Sequence, residues 1–216
     1  MQGKIIGNIS NVYKIKTESK EYNAYARGKL KNNEITPLVG DNVEIQVTDE
    51  EKSEAIIEKV EQRKNEIKRP KISNIDQIIF VISTKHPKPD LLMLDKQLAY
   101  AEKLGINAIF NTDKTQEGEV SKKNKKGKNT TTDTKLYEIE ENTYIADTPG
   151  FSSFEINEIE TSELDKYFIE IEKELENCEF VGCTHIKEEK CGVKQAVQDG
   201  KISQGRYERF CEIYNE

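Results

Sequence analysis

The sequence predicts a mixed fold in three parts: an N-terminal β-barrel, a central α/β sheet and a C-terminal helical segment built around a metal site. Three observations lead to this prediction. Five short runs of strand-forming residues fall within residues 1–62. A continuous apolar run at 77–83 then precedes a helical pattern and another strand. Near the C-terminus, three of the four cysteines and one of the two histidines fall within 14 positions.

Composition limits the classes of protein to consider. The 216 residues suffice for one large domain or two small ones. The net charge is −7, so a bulk electrostatic attraction to nucleic acid is not expected. Two basic stretches, 63–71 and 122–128, are either local patches that contact a partner or solvated loops. No run approaches the roughly 20 apolar residues of a membrane span, and the N-terminus lacks the apolar core of a signal peptide. We therefore expect a cytoplasmic protein without membrane contact, whose cysteines are thiols or metal ligands.

The N-terminal barrel is predicted from alternation and strand count. In the clearest strand, 42–47, Val43, Ile45 and Val47 share one face. The predicted strands are 4–6, 12–15, 22–30, 42–47 and 55–60. Five short strands favour an OB-type barrel, and an SH3-type barrel is the alternative.

The central part begins after a polar, basic stretch, 63–74, which is interrupted by Pro70 and is typical of a linker. The apolar run 77–83 is typical of a strand buried on both faces of an α/β sheet. A helix over 90–104 and a second strand over 106–110 follow, and this order predicts a parallel sheet. The helix is expected to bury one apolar stripe: Leu91, Leu94, Leu98, Ala101 and Leu104.

The pattern breaks after Phe110. The chain enters a polar stretch, and no second helix precedes the predicted hairpin strands 134–140 and 142–148. A sheet of this kind normally continues with another helix.

The C-terminal part combines helices with a predicted metal site. Helices are expected over 163–177, 193–197 and 207–214. Between the first two, four residues follow the spacing C-x4-C-x-H-x5-C: Cys178, Cys183, His185 and Cys191. Three thiolates and one imidazole complete a tetrahedral zinc shell with no open position, which indicates one structural Zn²⁺. The alternative is buried free cysteines beside a surface histidine. Cys211 lies outside the spacing and is expected in the core.

Two motifs indicate a nucleotide site. Asp147, at the end of an expected buried strand, precedes Thr148, Pro149 and Gly150, as an aspartate does where it holds Mg²⁺ near a γ-phosphate. The threonines 130–132 lie upstream and could ligate Mg²⁺, although an ordinary turn and a β-strand edge explain the same residues. The phosphate-binding motif G-x-x-x-x-G-K-[ST] does not occur in the sequence.

Five segments together resemble one family, the circularly permuted GTPases that mature the small ribosomal subunit, known as RsgA or YjeQ. They are "VGDNVEI", "RKNEIKRPKISNIDQIIFV", "LLMLDKQLAYAEKLGI", "GEVSKKNKKGKNTTTDTKLYEIEENTYIADTPGFSSFEI" and "CEFVGCTHIKEEKCGVKQAVQDGKISQGRYERF". The resemblance implies an OB-fold RNA-binding domain at 1–68, a circularly permuted P-loop-type GTPase domain at 69–156 and a helical zinc subdomain at 157–216. It also implies that the phosphate-binding motif and the guanine-reading motif Asn-Lys-x-Asp, neither of which occurs in this sequence, belong near 110–115.

The resemblance assigns roles to residues of this chain. Thr131 or Thr132 would coordinate the Mg²⁺ that accompanies GTP or GDP. Asp147, Thr148, Pro149 and Gly150 would form the nucleotide-binding turn, in which Asp147 holds Mg²⁺ and Gly150 contacts the γ-phosphate. Asn129 stands where the family usually has a histidine implicated in hydrolysis; asparagine orients a water but takes up no proton near neutral pH.

The function implied is a cytoplasmic, monomeric GTPase that binds the small ribosomal subunit and its rRNA, with Arg63, Lys64, Lys68 and Arg69 as phosphate contacts. The rival hypothesis is a nucleotide-independent RNA-binding module, because without a P-loop the β-phosphate has no cradle. The third hypothesis is an unrelated structural protein that is stabilised by zinc.

Overall fold

A computed structural model of the chain describes residues 1–27, 35–82, 88–111, 134–147 and 159–216. The chain divides into two compact units. The first comprises Met1–Ile75 and Glu117–Phe154, and the second comprises Asp76–Gln116 and Glu155–Glu216. The division into domains at 1–68, 69–156 and 157–216 stays a prediction.

The first unit is a closed five-stranded barrel. Its strands are β1 (Gln2–Ile9), β2 (Val12–Lys16), β3 (Glu21–Ala26), β4 (Asn42–Asp49) and β5 (Glu54–Val60). They pair in the order β1-β2-β3-β5-β4, and β4 closes the ring by pairing with β1. Only the β3–β5 pair of this ring is parallel. The prediction of an OB-type barrel is confirmed.

The barrel core follows the predicted alternation. Val43 and Ile45 of β4 are buried, and Val47 packs against the same cluster. The buried residues come from every barrel strand and the loop before β4: Ile5, Tyr13, Ile15, Tyr22, Ala24, Val39, Val43, Ile45, Ala55 and Ile57. Burying one face of each strand is what closes the ring.

The stretch predicted as a linker is instead folded against the barrel. It contains a small antiparallel pair, β6 (Glu66–Ile67) and β7 (Ile72–Ser73). Ile67 and Ile72 are buried, and the Ser73 amide donates to the Val39 carbonyl at 2.9 Å. Burial of these two side chains contributes to docking the stretch, because each apolar side chain is stabilised by leaving water.

The second unit contains a two-stranded parallel sheet, β8 (Gln77–Val81) and β9 (Asn107–Asn111), joined by helix α1 (Leu91–Lys103). Asp90 caps the helix by accepting a hydrogen bond from the Met93 amide at 2.9 Å. The predicted strand–helix–strand order and the parallel pairing are confirmed.

The expected burial of this strand on both faces is wrong. Ile78 and Phe80 are buried, whereas Ile79 is 55% and Val81 73% exposed. In the neighbouring strand Ile109, which pairs with Ile79, is 42% exposed. Within the described ranges this sheet has two strands, and its second face remains open to water.

The stripe predicted for helix α1 is only partly buried: Ala101 is buried, Leu94, Leu98 and Leu104 are half-buried, and Leu91 is exposed. Burial also extends to residues outside that stripe, namely Asp95, Gln97, Ala99 and Tyr100. Asp95 is buried within an ion-pair cluster, in which Arg206 and Arg209 both bind its carboxylate. A charged side chain is buried at this position because it is paired.

The predicted hairpin forms, but it joins the barrel sheet. Its strands are β10 (Lys135–Glu140) and β11 (Thr143–Asp147), and Lys135 pairs with Gly7 of β1. Leu136 packs against the barrel core. Ile139 and Ile145 are 57% and 49% exposed, so the expectation of a buried strand leading into Asp147 is wrong.

The first predicted C-terminal helix is broken into shorter pieces, and the other two are slightly longer than predicted. The stretch expected as one helix over 163–177 consists of a 3₁₀ turn (Thr161–Tyr167), α2 (Ile169–Glu172) and a second 3₁₀ turn (Leu175–Asn177). The extended backbone of Phe168, with φ −108° and ψ 95°, interrupts it. Helices α3 (Gly192–Gln198) and α4 (Gln204–Tyr214) follow. Across the ranges that the structure describes, no helix has the length and apolar character needed to cross a membrane.

Candidate metal centre and nucleotide-motif residues

The four predicted metal ligands come together in the second unit. Cys178 follows the second 3₁₀ turn, Cys183 and His185 lie in the loop after it, and Cys191 is the N-cap of α3. One potential ligand atom from each residue lies within 4.8 Å of all the others. Cys183, His185 and Cys191 are buried, and Cys178 is half-buried. The set could hold a metal ion.

The distances between the ligand atoms fit a tetrahedral ion. Cys178 Sγ lies 3.9 Å from Cys191 Sγ. His185 Nδ1 lies 3.3 Å from Cys191 Sγ and 3.6 Å from Cys178 Sγ. A tetrahedral zinc site with Zn–S bonds of about 2.3 Å has S–S edges of about 3.8 Å. The edges among Cys178, His185 and Cys191 therefore have the lengths expected around one zinc ion, and Cys183 Sγ lies within 4.8 Å of the other ligand atoms.

The backbone of the ligand loop is shaped for this arrangement. Gly182 has φ +76°, and His185 itself has φ +64°. The left-handed conformation is uncommon for a residue with a side chain. At Gly192 the restriction is spatial, since an added Cβ would lie 2.5 Å from Asn177 Cβ and 2.7 Å from its carbonyl carbon. Gly182 therefore permits a tight turn, whereas Gly192 permits a close approach of two backbone segments.

The thiols differ in acidity. Burial raises the pKa of Cys178, but backbone amides of Val193 and Gly192 and the neighbouring Cys191 and His185 outweigh it, so the pKa lies below its usual value. These amides belong to the first turn of α3, where free N–H groups favour a negative sulfur.

Two other thiols are held in their neutral form. Burial, with the nearby sulfurs of Cys191 and Cys178, raises the pKa of Cys183 to about 12. Burial likewise raises the pKa of Cys191. Three thiols this close repel each other when ionised, and a bound divalent cation removes that repulsion.

A second layer of side chains surrounds His185. Asp165 Oδ2, in the first 3₁₀ turn, lies 3.5 Å from His185 Nε2. The Tyr207 hydroxyl donates to the His185 carbonyl oxygen at 2.6 Å. Burial lowers the pKa of His185, but the neighbouring Asp165 and Cys178 raise it by more than burial lowers it. The pKa of His185 is therefore above its ordinary value.

The loop between the ligands is closed by Glu188. Its carboxylate accepts hydrogen bonds from the Thr184 amide at 3.1 Å and from the Thr184 hydroxyl at 2.9 Å. The Lys187 amide donates to its other oxygen at 3.2 Å. The backbone amide of Glu188 itself, followed by the Thr184 and Lys187 groups, holds the pKa of Glu188 at about 2.

Sequence reasoning missed this second layer. Asp165 and Tyr207 are 20 or more positions from His185, and no spacing rule connects them. A threonine four residues before a glutamate inside the ligand loop is the one local signal that could have indicated the Thr184–Glu188 contact. Cys211 was predicted correctly: it lies outside the ligand set and packs, half-buried, against the core.

The nucleotide-motif residues are only partly within the described ranges. Asp147 is the last residue of β11, and its backbone pairs with Lys135. The other predicted residues lie outside the described ranges: Asn129, Thr130, Thr131, Thr132, Thr148, Pro149 and Gly150.

Comparison with known proteins identifies the family. The model of the RsgA N-terminal domain matches residues 2–57, and that of the RsgA GTPase matches 60–115 and 105–157. The small ribosomal subunit biogenesis GTPase RsgA of Alkaliphilus metalliredigens is 30% identical, with an alignment that covers 100% of this chain and 97% of the relative. The chain belongs to the RsgA family. RsgA of Staphylococcus haemolyticus is 31% identical over 99% of this chain and 96% of its own.

Solved structures of RsgA-family proteins have the same fold. YjeQ from Thermotoga maritima superposes with a TM-score of 0.81 at 27% identity, covering 99% of this chain and 97% of its own. The circularly permuted GTPase YloQ gives a TM-score of 0.76 at 29% identity, with coverage of 99% and 93%.

The RsgA alignment also locates an internal difference. It spans 283 positions and includes all of this chain, which has 216 residues. The remaining 67 positions (283 less 216) have residues in the relative and none here. The GTPase family model matches in two segments that meet at 105–115, which is where the sequence pattern breaks.

Proposed function

We propose that this chain is a GTP-binding and GTP-hydrolysing factor in late maturation of the small ribosomal subunit. One observation carries the proposal: its alignment with a relative named small ribosomal subunit biogenesis GTPase RsgA extends over the whole chain and 97% of the relative. The barrel and the circularly permuted GTPase neighbours support it. The protein would act in the cytoplasm as a monomer, with the small subunit, its rRNA and GTP or GDP as partners.

The residues proposed for nucleotide chemistry follow the family motifs. Asp147 would hold Mg²⁺, Thr148 to Gly150 would meet the γ-phosphate, and Thr131 or Thr132 would complete the magnesium shell. Asn129 would orient the attacking water. Since asparagine takes up no proton near neutral pH, we expect slow hydrolysis.

For the metal centre we propose one structural Zn²⁺. A Cys3His donor set with sulfur–sulfur spacing near that of a zinc tetrahedron supports zinc over harder ions, which prefer oxygen ligands. Zinc would neutralise the thiolates and hold the loop from Cys178 to Cys191 in one conformation.

For RNA we propose the barrel unit as one contact surface. Arg63 is a poor candidate for a phosphate contact, because its guanidinium binds Asp41, Glu66 and the Thr36 carbonyl. Lys64, Lys68 and Arg69 of the same stretch are exposed, and their positive charge and accessibility make them the proposed contacts.

Titration of a fluorescent GTP analogue, with and without Mg²⁺, tests the nucleotide proposal. The A. metalliredigens RsgA serves as the positive control, and Asp147→Asn as the internal control. Saturable, magnesium-dependent binding that weakens in Asp147→Asn, with phosphate release on incubation, is expected. Binding by the control protein alone would overturn the GTPase proposal for this chain.

A second candidate function is a nucleotide-independent ribosome-binding module. It is favoured by the 67 unmatched positions and by the missing G-x-x-x-x-G-K-[ST] motif, since that motif supplies the β-phosphate cradle. Co-sedimentation with purified small subunits separates the two functions. The GTPase proposal predicts binding that differs between GTP and GDP, and the module predicts equal binding with and without nucleotide.

An intact mass under denaturing, metal-free conditions accompanies this test. A mass near 24.8 kDa confirms that the assayed chain is the one whose sequence lacks the motif.

A further inference from the structure

The ring of His185 lies between two chemically different partners. Its Nδ1 faces the sulfurs of Cys191 and Cys178, at 3.3 and 3.6 Å. Its Nε2 faces Asp165 Oδ2 at 3.5 Å. The residue is only 1% exposed, so water competes little for either nitrogen. The two ring nitrogens therefore have distinct environments, one facing the metal ligands and one facing a carboxylate.

The position of the Asp165 carboxylate is set by its own surroundings. Its other oxygen, Oδ1, accepts a hydrogen bond from the Lys166 amide at 2.9 Å. Within the same stretch of chain, Leu164 and Phe168 are 2% and 0% exposed and anchor the 3₁₀ turn in the core. With Oδ1 occupied by the backbone, Oδ2 is the oxygen available to His185.

We propose that Asp165 is the positioning residue of the metal centre: it accepts the Nε2 proton of His185 and so makes Nδ1 the metal-binding atom. A nitrogen that binds a metal carries no proton, so the neutral ring must hold its proton on the other nitrogen. A carboxylate beside that nitrogen stabilises this tautomer and fixes the ring orientation. The inference rests on the proposed zinc site and adds which ligand atom is used and what orients it.

The contact is longer than most hydrogen bonds, which measure about 2.7–3.2 Å between heavy atoms. The same 3₁₀ turn also offers a carboxylate that can serve as a control. Glu163 lies in the same 3₁₀ turn, two residues away, but its carboxylate binds Lys166 Nζ at 3.1 Å and is solvent-accessible. Glu163 is therefore a matched control for loss of a negative charge from this turn.

The test uses the full chain and four proteins: wild type, Asp165→Ala, Asp165→Asn and Glu163→Ala. Zinc affinity is measured by competition with a chromophoric chelator. We expect Asp165→Ala to weaken zinc binding about 10- to 100-fold, as loss of such a partner does in other metal sites. Asp165→Asn, whose amide oxygen still accepts the Nε2 proton, should lose less, and Glu163→Ala should stay within about twofold of wild type.

A second readout reports the tautomer directly. Long-range ¹H–¹⁵N spectra of the zinc-bound protein distinguish a ring protonated on Nε2 from one protonated on Nδ1. The chain has two histidines, and a His86→Gln variant assigns the His185 signals. We expect a slowly exchanging Nε2 proton in wild type and Asp165→Asn, and fast exchange of that proton in Asp165→Ala. A role limited to folding would not change exchange of this proton in a protein that still binds zinc.

The outcomes separate this inference from the zinc proposal. If wild type takes up no zinc, the metal proposal and this inference are both overturned. If wild type binds zinc but His185 is protonated on Nδ1, or Asp165→Ala matches Glu163→Ala in affinity, zinc stands and the role of Asp165 is refuted. If Asp165→Ala does not fold, Asp165→Asn decides, because retention of the slowly exchanging Nε2 proton supports the inference and its loss overturns it.

Discussion

Arg63 holds the carboxylate of Asp41 with two hydrogen bonds of 2.8 Å, from Nε to Oδ1 and from Nη2 to Oδ2. Asp41 is fully buried and also accepts from the Ser73 hydroxyl at 2.6 Å and the Leu38 amide at 2.8 Å. The hydrogen bonds that Arg63 donates to Asp41 raise the pKa of Arg63. This pair fastens the stretch after β5 to the loop before β4.

Replacing Arg63 by alanine should destabilise the barrel unit strongly. The substitution leaves the Asp41 carboxylate buried without its cation, and loss of one partner of a buried pair costs about 3 kcal/mol or more. Arg27→Ala is the control, because its pair with Glu58 lies at the surface and should contribute less than about 1 kcal/mol. Urea-dependent amide hydrogen exchange of the barrel strands measures the change in unfolding free energy caused by each substitution. Equal effects of the two substitutions would contradict this account.

Removal of the metal should unfold the core of the second unit. Cys183 and Cys191 belong to the same buried cluster as Phe168 and Phe210, so the ligand shell and the apolar core are continuous. Zinc at a thousandfold excess over its Kd contributes about 4 kcal/mol, and a chelator should abolish that contribution. Thermal unfolding followed by circular dichroism measures it. Cys191→Ser should behave like the chelated protein, and Cys211→Ser should keep the zinc-dependent increase in Tm.

An alanine at Gly192 should disturb the metal centre more than one at Gly182. The new Cβ at Gly192 would lie 2.7 Å from the Asn177 carbonyl carbon and 2.8 Å from the Glu174 carbonyl oxygen, so the start of α3 must move away from Cys178. At Gly182 the space is open and the cost is the left-handed backbone, about 1 kcal/mol. Zinc affinity of the two variants checks the order; the reverse order would rule out the close approach as the reason for glycine.

Because of Glu188, the stability of the ligand loop should depend on pH in the acidic range. Its pKa falls from 4.5 to about 2 in the folded chain. A depressed carboxyl pKa contributes stability that is fully present above the unfolded pKa and is lost as the pH falls through the folded pKa. The difference in Tm between wild type and Glu188→Gln should therefore be constant above about pH 5 and shrink between about pH 4.5 and 2. A difference that persists unchanged to pH 2 would exclude this role.

The barrel and the metal ligands could be predicted from sequence because both depend on short-range patterns. Alternation places Val43 and Ile45 on the buried side of β4 whatever the strand pairs with. The ligand spacing likewise brings Cys178, Cys183, His185 and Cys191 within reach of one ion.

Other features depend on tertiary contacts that no local pattern contains. The apolar spacing over 163–177 continues through Phe168, yet its extended backbone ends the helix, and the ring packs edge-to-face on Phe210 with centroids 5.2 Å apart. The burial of Asp95 in α1 depends on the two arginines of α4 that bind it. The attachment of β10 to β1, and the approach of Asp165 to His185, join residues distant in sequence.

Ile79, Val81 and Ile109 leave an apolar strand surface in contact with water. Surfaces of this kind adhere to one another when molecules collide. The chain carries a net charge of −7, so approaching copies repel each other over a Debye length of about 10 Å at 0.1 M salt. Added salt shortens that range but does not weaken the attraction between the apolar side chains. The colloidal stability of this protein therefore depends on its acidity, and concentrated, high-salt solutions are the conditions that favour its self-association.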